Sequence, residues 1–250
     1  MSIGLLHPGE MGAAVGAALV GNGHEVLWAS DGRSDATRAR AEAAGLVDAG
    51  SVADLSHSCA LVISLCPPEF AVRVADEVRA AGFSGMLVDA NAVSPATAAR
   101  IAPTVDGGVI GPPPRVAGTT RCYLSGPRAR EVMALFDGSV LDARVVDDRI
   151  GSASALKMVF AAYTKGVSAL LLALRATARA NDVDEALLDE WALSQPQLAA
   201  VCELAEANAG PKAWRWIAEM EEIAATFAAA GQPDGFHLAA AAVFRSIAER

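Results

Sequence analysis

The sequence predicts an α/β N-terminal domain over residues 1–150, built on a parallel sheet, followed by an all-α C-terminal domain over residues 151–250. Three observations carry that reading. Short apolar runs alternate with helical runs through the first half, the pattern of a parallel sheet covered on both faces. The strand pattern stops near residues 148–151. Beyond Gly151 only helical runs follow, at 152–180, 184–194, 196–208, 212–230 and 236–249.

The elements read off in order. "IGLL" is a strand and "MGAAVGAALVGNG" a helix closed by glycine; "HEVLWAS" is a strand and "DATRARAEAAG" a helix. "CALVISLCPP" is an apolar strand stopped by two prolines, "EFAVRVADEVRAAG" a helix and "GMLVDAN" a strand. "SPATAARIA" opens a helix, with Ser94 as N-cap and proline in the first turn, where its missing N–H costs nothing. "VDGGVIGPPP", "TTRCYLSG" and "GSVLDARVV" extend the sheet, and "PRAREVMALF" is a helix between the last two.

Composition narrows the function. The chain is 53% hydrophobic, much of it alanine, which favours helix and adds little bulk, so closely packed helices are expected. No run of about 18 consecutive apolar residues is present, so no membrane span is expected. The richest stretch, "ALKMVFAAYTKGVSALLLAL", is interrupted by Lys157 and Lys165, two of only three lysines in the chain. No secretory leader is visible at the N-terminus. A net charge of −9 argues against a basic face for nucleic acid. Cys59, Cys66, Cys122 and Cys202 form no C-x-x-C pair, which suits reduced thiols in a cytoplasmic protein. His24, His57 and His237 have no metal-ligand spacing, so no metal is expected.

The opening stretch "IGLLHPGEMGAAVGAAL" carries Gly9 and Gly12 at the spacing of the second and third glycines of G-x-G-x-x-G, with His7 in place of the first. A strand, a glycine turn and a helix set backbone N–H groups and the positive helix end against a pyrophosphate. Gly9, Glu10, Met11 and Gly12 are therefore cofactor-binding candidates, with His7-Pro8 making the tight turn differently. The competing reading is a plain strand-to-helix turn; its place at the start of a βαβ unit favours a dinucleotide. Where the second strand ends, Ser30, Arg33 and Ser34 suit a ribose 2′-phosphate, because a guanidinium donates in a fork. That points to NADP as cofactor. NAD is the alternative, since Asp31 lies one residue from the place of the acid that binds a 2′-hydroxyl.

"GLLHPGEMG", "DANAVSPATA" and "GSASALKMVFAAYTKG" resemble the β-hydroxyacid dehydrogenases, the group containing 3-hydroxyisobutyrate and 6-phosphogluconate dehydrogenases. The resemblance covers nearly the whole chain. It is nearest to a branch with a phosphogluconate-dehydrogenase-like C-terminal helical domain. It implies a Rossmann N-terminal domain, a helical domain that dimerises, and an active site between them. On this resemblance Cys66, Pro67 and Pro68 lie along the cofactor, and Asn91 and Ala92 touch the nicotinamide ribose. The family's substrate loop stands here as "DGGVIGP": Asp106 and Gly111 are kept, and Ile110 replaces the substrate-binding serine. The family lysine is Lys157, six residues after Gly151, and Ala161 stands where an asparagine follows it. The cofactor side is mostly kept; the substrate side is altered.

Ser154, Lys157, Ala161, Thr164, Lys165 and Ser168 fall on one side of the helix that starts at Ser152, a polar stripe on an otherwise apolar helix. A lysine withdrawn from water loses its proton more readily, as a proton shuttle must. Lys157 is the catalytic candidate; the alternative is a lysine that snorkels to the surface. Ile110, Gly111, Ala161, Thr164 and Lys165 are substrate candidates. Glu219 and Met220 join them from the later helix, with Trp214 and Phe236 beside them. The competing reading for carboxylates on this helix, Glu222 above all, is a solvated helix face.

The sequence thus predicts an NADP-dependent oxidoreductase that interconverts a small, polar, hydroxyacid-like alcohol and its carbonyl. Its partner is a small-molecule substrate, and a homodimer buries the long apolar helix. Imine reduction on the same fold is one alternative. A dinucleotide-binding sensor or scaffold dimer without turnover is another.

Overall fold

A computed structural model describes residues 2–249. The chain divides into two compact units, one ending at Lys157 and the other starting at Met158.

The first unit alternates strand and helix: β1 (Ile3–Leu6), α1 (Glu10–Gly21), β2 (Val26–Trp28), α2 (Asp35–Ala43), β3 (Val47–Asp48), α3 (Val52–Ser58), β4 (Leu61–Ser64), α4 (Ala71–Ala80), β5 (Met86–Asp89), α5 (Pro95–Ile101), β6 (Val105–Ile110), β7 (Thr120–Ser125), α6 (Ala129–Ala134) and β8 (Leu141–Val145). One sheet of order β3-β2-β1-β4-β5-β6-β7-β8 contains all eight strands. The chain moves outward from β1 in both directions. The loops after β1 and β4 therefore diverge at the carboxyl ends of their strands and leave a crevice, the place where open α/β sheets take ligands.

Both faces of the sheet are apolar because residues alternate across it. Ile3, Leu5, Leu61, Ile63 and Val88 join the core beneath α1 and α6. Leu6, Val62 and Leu87 join the core with Leu55, Val74, Val78 and Ile101 from α3, α4 and α5. At the start of α5, Ser94 accepts from the Thr97 N–H at 3.2 Å, the cap the sequence predicts.

Three features depart from the sequence expectation. β7 runs antiparallel to β6, while every other pairing is parallel. Residues 111–119 contain no helix, and a link without one is too short for a parallel crossover. β3 and α3 are short elements that no periodicity could reveal. The expected break between helices 196–208 and 212–230 is absent: α9 (Leu198–Ala229) runs through Pro211. Cys202, Ala205, Ala209, Ala213 and Met220 form one buried stripe across that point, so packing on both sides of the proline overrides its local preference.

The division between the units falls inside α7 (Ser152–Ala180), which is followed by α8 (Asp184–Ser194), α9 and α10 (Gly235–Ala248). Within the second unit α10 packs along α9, with Trp216 and Phe244 edge to face at 5.1 Å. Leu171, Trp191 and Cys202 join α7, α8 and α9. Arg175 of α7 is 8% exposed and donates Nε and a terminal nitrogen to the two carboxylate oxygens of Asp184, at 2.5 and 2.8 Å. By length and composition alone, α7 is the one described helix long and apolar enough to cross a membrane.

Candidate active site

β1 ends in a turn made without the first glycine. His7 adopts φ +64, a left-handed conformation that L-residues rarely enter, and its carbonyl accepts the Gly9 N–H at 2.7 Å. Gly9 then caps α1 in an extended conformation. A Cβ on Gly12 would stand 2.6 Å from the His7 carbonyl oxygen, so only glycine lets the helix start this close to the turn. A Cβ on Gly9 would meet nothing within 4 Å; the space above that residue is open, with the unpaired N–H groups of the first helical turn facing it.

The residues around the turn come from four other segments. Arg33 follows β2, Cys66 follows β4, Arg73 lies on α4 and Asn91 follows β5. Among the described residues, His7 Nδ1 and Arg33 Nε are buried and have no hydrogen-bond partner. Burial lowers the His7 pKa to about 4, and the guanidiniums of Arg33 and Arg73 push in the same direction. Burial raises the Cys66 thiol to about 12, with the Asp89 carboxylate adding to the shift, so Cys66 is an inert neutral thiol. A dinucleotide phosphate fits this donor set. The open helix start offers N–H groups, and Arg33 offers a buried donor that lacks an acceptor.

The other cofactor candidates are already engaged. Ser30 is buried, and its hydroxyl hydrogen-bonds Asp48. Ser34 caps α2, accepting from the Thr37 N–H at 3.3 Å. Glu10 pairs with Arg115 at 3.0 Å on the surface, and Met11 packs against the core. Pro67 precedes a short 3-10 turn at Pro68–Phe70. Asn91 is 2% exposed and ties two strand ends together. Its Oδ1 accepts the Cys66 N–H at 2.6 Å, and its amide donates to Ser64 Oγ at 3.1 Å and to Asp89. Asn91 thus fixes the height of the Cys66–Pro67 loop.

β6 carries a second constellation. Asp106 is fully buried, and its carboxylate receives four hydrogen bonds: from Ser125 Oγ, Gly151 N and Ser154 N, each at 3.0 Å, and from Ser154 Oγ at 2.5 Å. It anchors the first turn of α7, where a negative charge also meets the positive helix end. One turn later stands Lys157, half-buried over β6. A Cβ on Gly108 would lie 2.7 Å from the Lys157 Cβ and 3.0 Å from the Ala153 carbonyl, so Gly108 is what lets this part of α7 seat on the strand. The sequence placed Asp106 in a sheet-extending run, and the family resemblance placed it in a substrate loop; its anchoring role was missed. The available signal was a carboxylate inside the apolar run "VDGGVI". Ile110 is buried at the end of β6. Gly111, at φ +124, makes a turn in which a Cβ would stand 2.4 Å from the Thr119 carbonyl.

The second unit holds its own polar pair. Lys165 Nζ lies 2.8 Å from Glu219 Oε1, with side chains 15% and 10% exposed, and Lys165 is 5.9 Å from the Trp216 ring. Sequence reasoning missed Trp216, whose signal is its place one turn before Glu219. Met220 and Ala161 are fully buried, and Thr164 Oγ donates to the Ala161 carbonyl at 3.4 Å. Trp214 and Phe236 are more than half exposed.

Residues 2–93 match the family model described as NADP oxidoreductase, coenzyme F420-dependent, and residues 178–247 match a domain of unknown function, DUF1932. An uncharacterized 28.5 kDa protein of Methanothermus fervidus is 29% identical over 195 residues, 76% of this chain and 75% of that one. Among solved structures, the conserved protein MTH1747, described as similar to 3-hydroxyacid dehydrogenases, is 28% identical with a TM-score of 0.70, covering 100% of this chain and 97% of its own. The 3-hydroxyisobutyrate dehydrogenase of Mycobacterium tuberculosis, solved with L-serine, reaches a TM-score of 0.70 at 20% identity over 99% of this chain and 94% of its own, a likeness of fold. From one end to the other, then, the chain has the 3-hydroxyacid dehydrogenase fold, a Rossmann-like region followed by a helical region, and it is similar to β-hydroxyacid dehydrogenase-like proteins.

Proposed function

We propose that this protein is an NADP-dependent oxidoreductase that interconverts a small, polar, hydroxyacid-like alcohol and its carbonyl. The observation that carries the reading is the buried Arg33 Nε, without a partner among the described residues, in the crevice where Gly9 leaves the start of α1 open. The family model matched by residues 2–93 spans β1 to β5, the half that holds this crevice, and its description names NADP. Bound there, the cofactor supplies a nicotinamide that accepts or returns hydride. Arg33 and the N–H groups of α1 hold its phosphates, and the Asn91 network keeps the Cys66–Pro67 loop in place beside them.

Lys157 moves the proton. Its Nζ takes the hydroxyl proton during oxidation and returns it to the forming alkoxide during reduction. The Asp106 anchor and Gly108 set where that amine stands. On the substrate side, buried Ile110 offers no hydroxyl, and Glu219 neutralises Lys165. Recognition of an anionic substrate through Lys165 would require that pair to open. Phe160, Tyr163, Leu170 and Leu174 expose 44, 73, 46 and 41% of their surface at helical spacing on α7, which supports a homodimer that covers them.

The test is hydride transfer from NADPH to a panel of keto acids, semialdehydes and imines. Turnover with a keto acid or semialdehyde supports the proposal. Turnover with imines alone makes the protein an imine reductase. Tight NADPH binding with no consumption across the panel makes it a dinucleotide sensor. Preference for NADH overturns the NADP assignment.

A further inference from the structure

The turn after β1 sets a titratable ring where a glycine would set none. His7 is fixed at φ +64 by the Gly9 N–H on its carbonyl, at 2.7 Å, and by the close start of α1 above it. Its Nδ1 and the Nε of Arg33 are both buried without a hydrogen-bond partner among the described residues. A buried polar nitrogen without a partner is destabilising, because it has given up its bonds to water. His7 and Arg33 follow the carboxyl ends of the paired strands β1 and β2, and the two guanidiniums acting on His7, those of Arg33 and Arg73, both oppose its proton. A phosphoryl oxygen removes these penalties together. It accepts from Arg33, offsets the guanidinium charge, and gives a protonated His7 something to donate to.

We infer that His7 and Arg33 form a proton-linked phosphate clamp, in which a phosphoryl group of the dinucleotide binds together with one proton taken up by His7. The inference rests on the dinucleotide reading above. The step is balanced: the neutral imidazole takes one proton from solvent as the cofactor enters, the imidazolium N–H donates to a phosphoryl oxygen, and the proton returns to solvent on release.

The other charged or titratable groups near the turn are accounted for. On α1, Glu10 faces Arg115 at 3.0 Å. On α2, Arg40 donates from Nε to the Pro8 carbonyl at 3.4 Å. After β4, Cys66 stays a neutral thiol. At the end of β5, Asp89 accepts from Asn91. On α4, Arg73 lies 3.6 Å from Glu77 and 4.9 Å from the centre of the Phe70 ring.

The experiment measures NADPH and NADH affinity of the full chain between about pH 5 and 8, and proton uptake by calorimetry in buffers of different ionisation heat, for wild type, His7→Gln and Arg33→Gln. Wild-type affinity should rise as pH falls, approaching about tenfold per pH unit at its steepest, because the proton is bound more tightly with the cofactor present than without it. Proton uptake should approach one per cofactor. His7→Gln should flatten both while still binding, and Arg33→Gln should weaken binding and reduce the uptake. The cofactor's own 2′-phosphate titrates near pH ~6, so the difference between wild type and His7→Gln is the quantity read. A difference seen with NADPH alone places the clamp on the 2′-phosphate; a difference with both dinucleotides places it on the pyrophosphate. NMR titration of the four histidines with and without NADPH gives a readout that needs no variant: one ring should gain a higher pKa on binding. Tight NADPH binding with no wild-type excess of uptake and no shifted histidine overturns the clamp and leaves the dinucleotide reading intact. Failure to bind either dinucleotide overturns both.

Discussion

Ser154 gives the carboxylate of Asp106 both its backbone N–H, at 3.0 Å, and its hydroxyl, at 2.5 Å. Two donors from one residue, joined by those of Gly151 and Ser125, fix the start of α7 on β6. Asp106→Ala leaves four buried donors without their acceptor. Unfolding in urea should show a loss of roughly 2–4 kcal/mol. Hydrogen exchange should quicken at the Gly151 and Ser154 amides. A variant with an unchanged midpoint and unchanged exchange at these amides would refute the anchoring role.

Gly9 and Gly12 answer different questions. A Cβ at Gly12 collides with the His7 backbone carbonyl at 2.6 Å, so Gly12→Ala should destabilise the first unit by about 1–3 kcal/mol and weaken NADPH binding at least tenfold. Gly9→Ala adds a methyl to open space and should melt within a degree or two of wild type. It should still weaken NADPH binding, because the phosphates occupy that space. Unchanged NADPH affinity in Gly9→Ala would place the cofactor elsewhere.

Lys157→Ala should leave NADPH affinity and melting temperature nearly unchanged and lower turnover by roughly 10²–10⁴. Gly108→Ala approaches the same atoms from below. Its Cβ would stand 2.7 Å from the Lys157 Cβ and 3.0 Å from backbone at Ala153, so α7 must shift. Turnover should fall while NADPH affinity holds. Full turnover in Lys157→Ala would remove the lysine from the mechanism.

His7 also ties stability to acid. Its pKa falls from 6.5 to about 4 on folding, so the unfolded chain binds the proton more tightly. The neutral ring costs nothing above the unfolded value. As pH falls from about 6.5 toward 4, wild type should lose up to ~2–3 kcal/mol through this residue alone. His7→Gln should lose less over that interval when unfolding free energy is measured against pH. Parallel curves for the two proteins would disprove the linkage.

The sheet-then-helices layout was legible because short continuous apolar runs alternating with helical ones, and then long helical runs alone, are strong signals, as at Ile3–Leu6 and Ser152–Ala180. The Ser94 cap was legible for the same local reason. Elements whose form depends on tertiary context were not. The direction of β7 follows from the helix-free link before it, and α9 is continuous because a stripe of small residues packs across Pro211. At the candidate site, the strand, turn and helix around Gly9 were legible, and so was the place of Lys157 on a long helix. The sequence did not show that Ser30 and Asn91 are engaged with Asp48 and with Ser64, because hydrogen-bond partners far along the chain leave no mark on spacing; the Ser34 cap on α2 is local and was readable in the same way as that of Ser94. Asp106 was visible as a residue but not as an anchor, since its four donors come from Ser125, Gly151 and Ser154.

Pro211 has one further consequence for the longest helix of the chain. A proline offers no N–H, so the carbonyl of Ala207 loses its rung in the ladder, and Asn208 and Lys212 bracket the gap with a side-chain bond of 2.5 Å. The helix is continuous there but held by one backbone bond fewer. Its two lengths can fray separately, and protease nicking under mild denaturant should begin at that missing bond while the stretch packed against α10 stays whole.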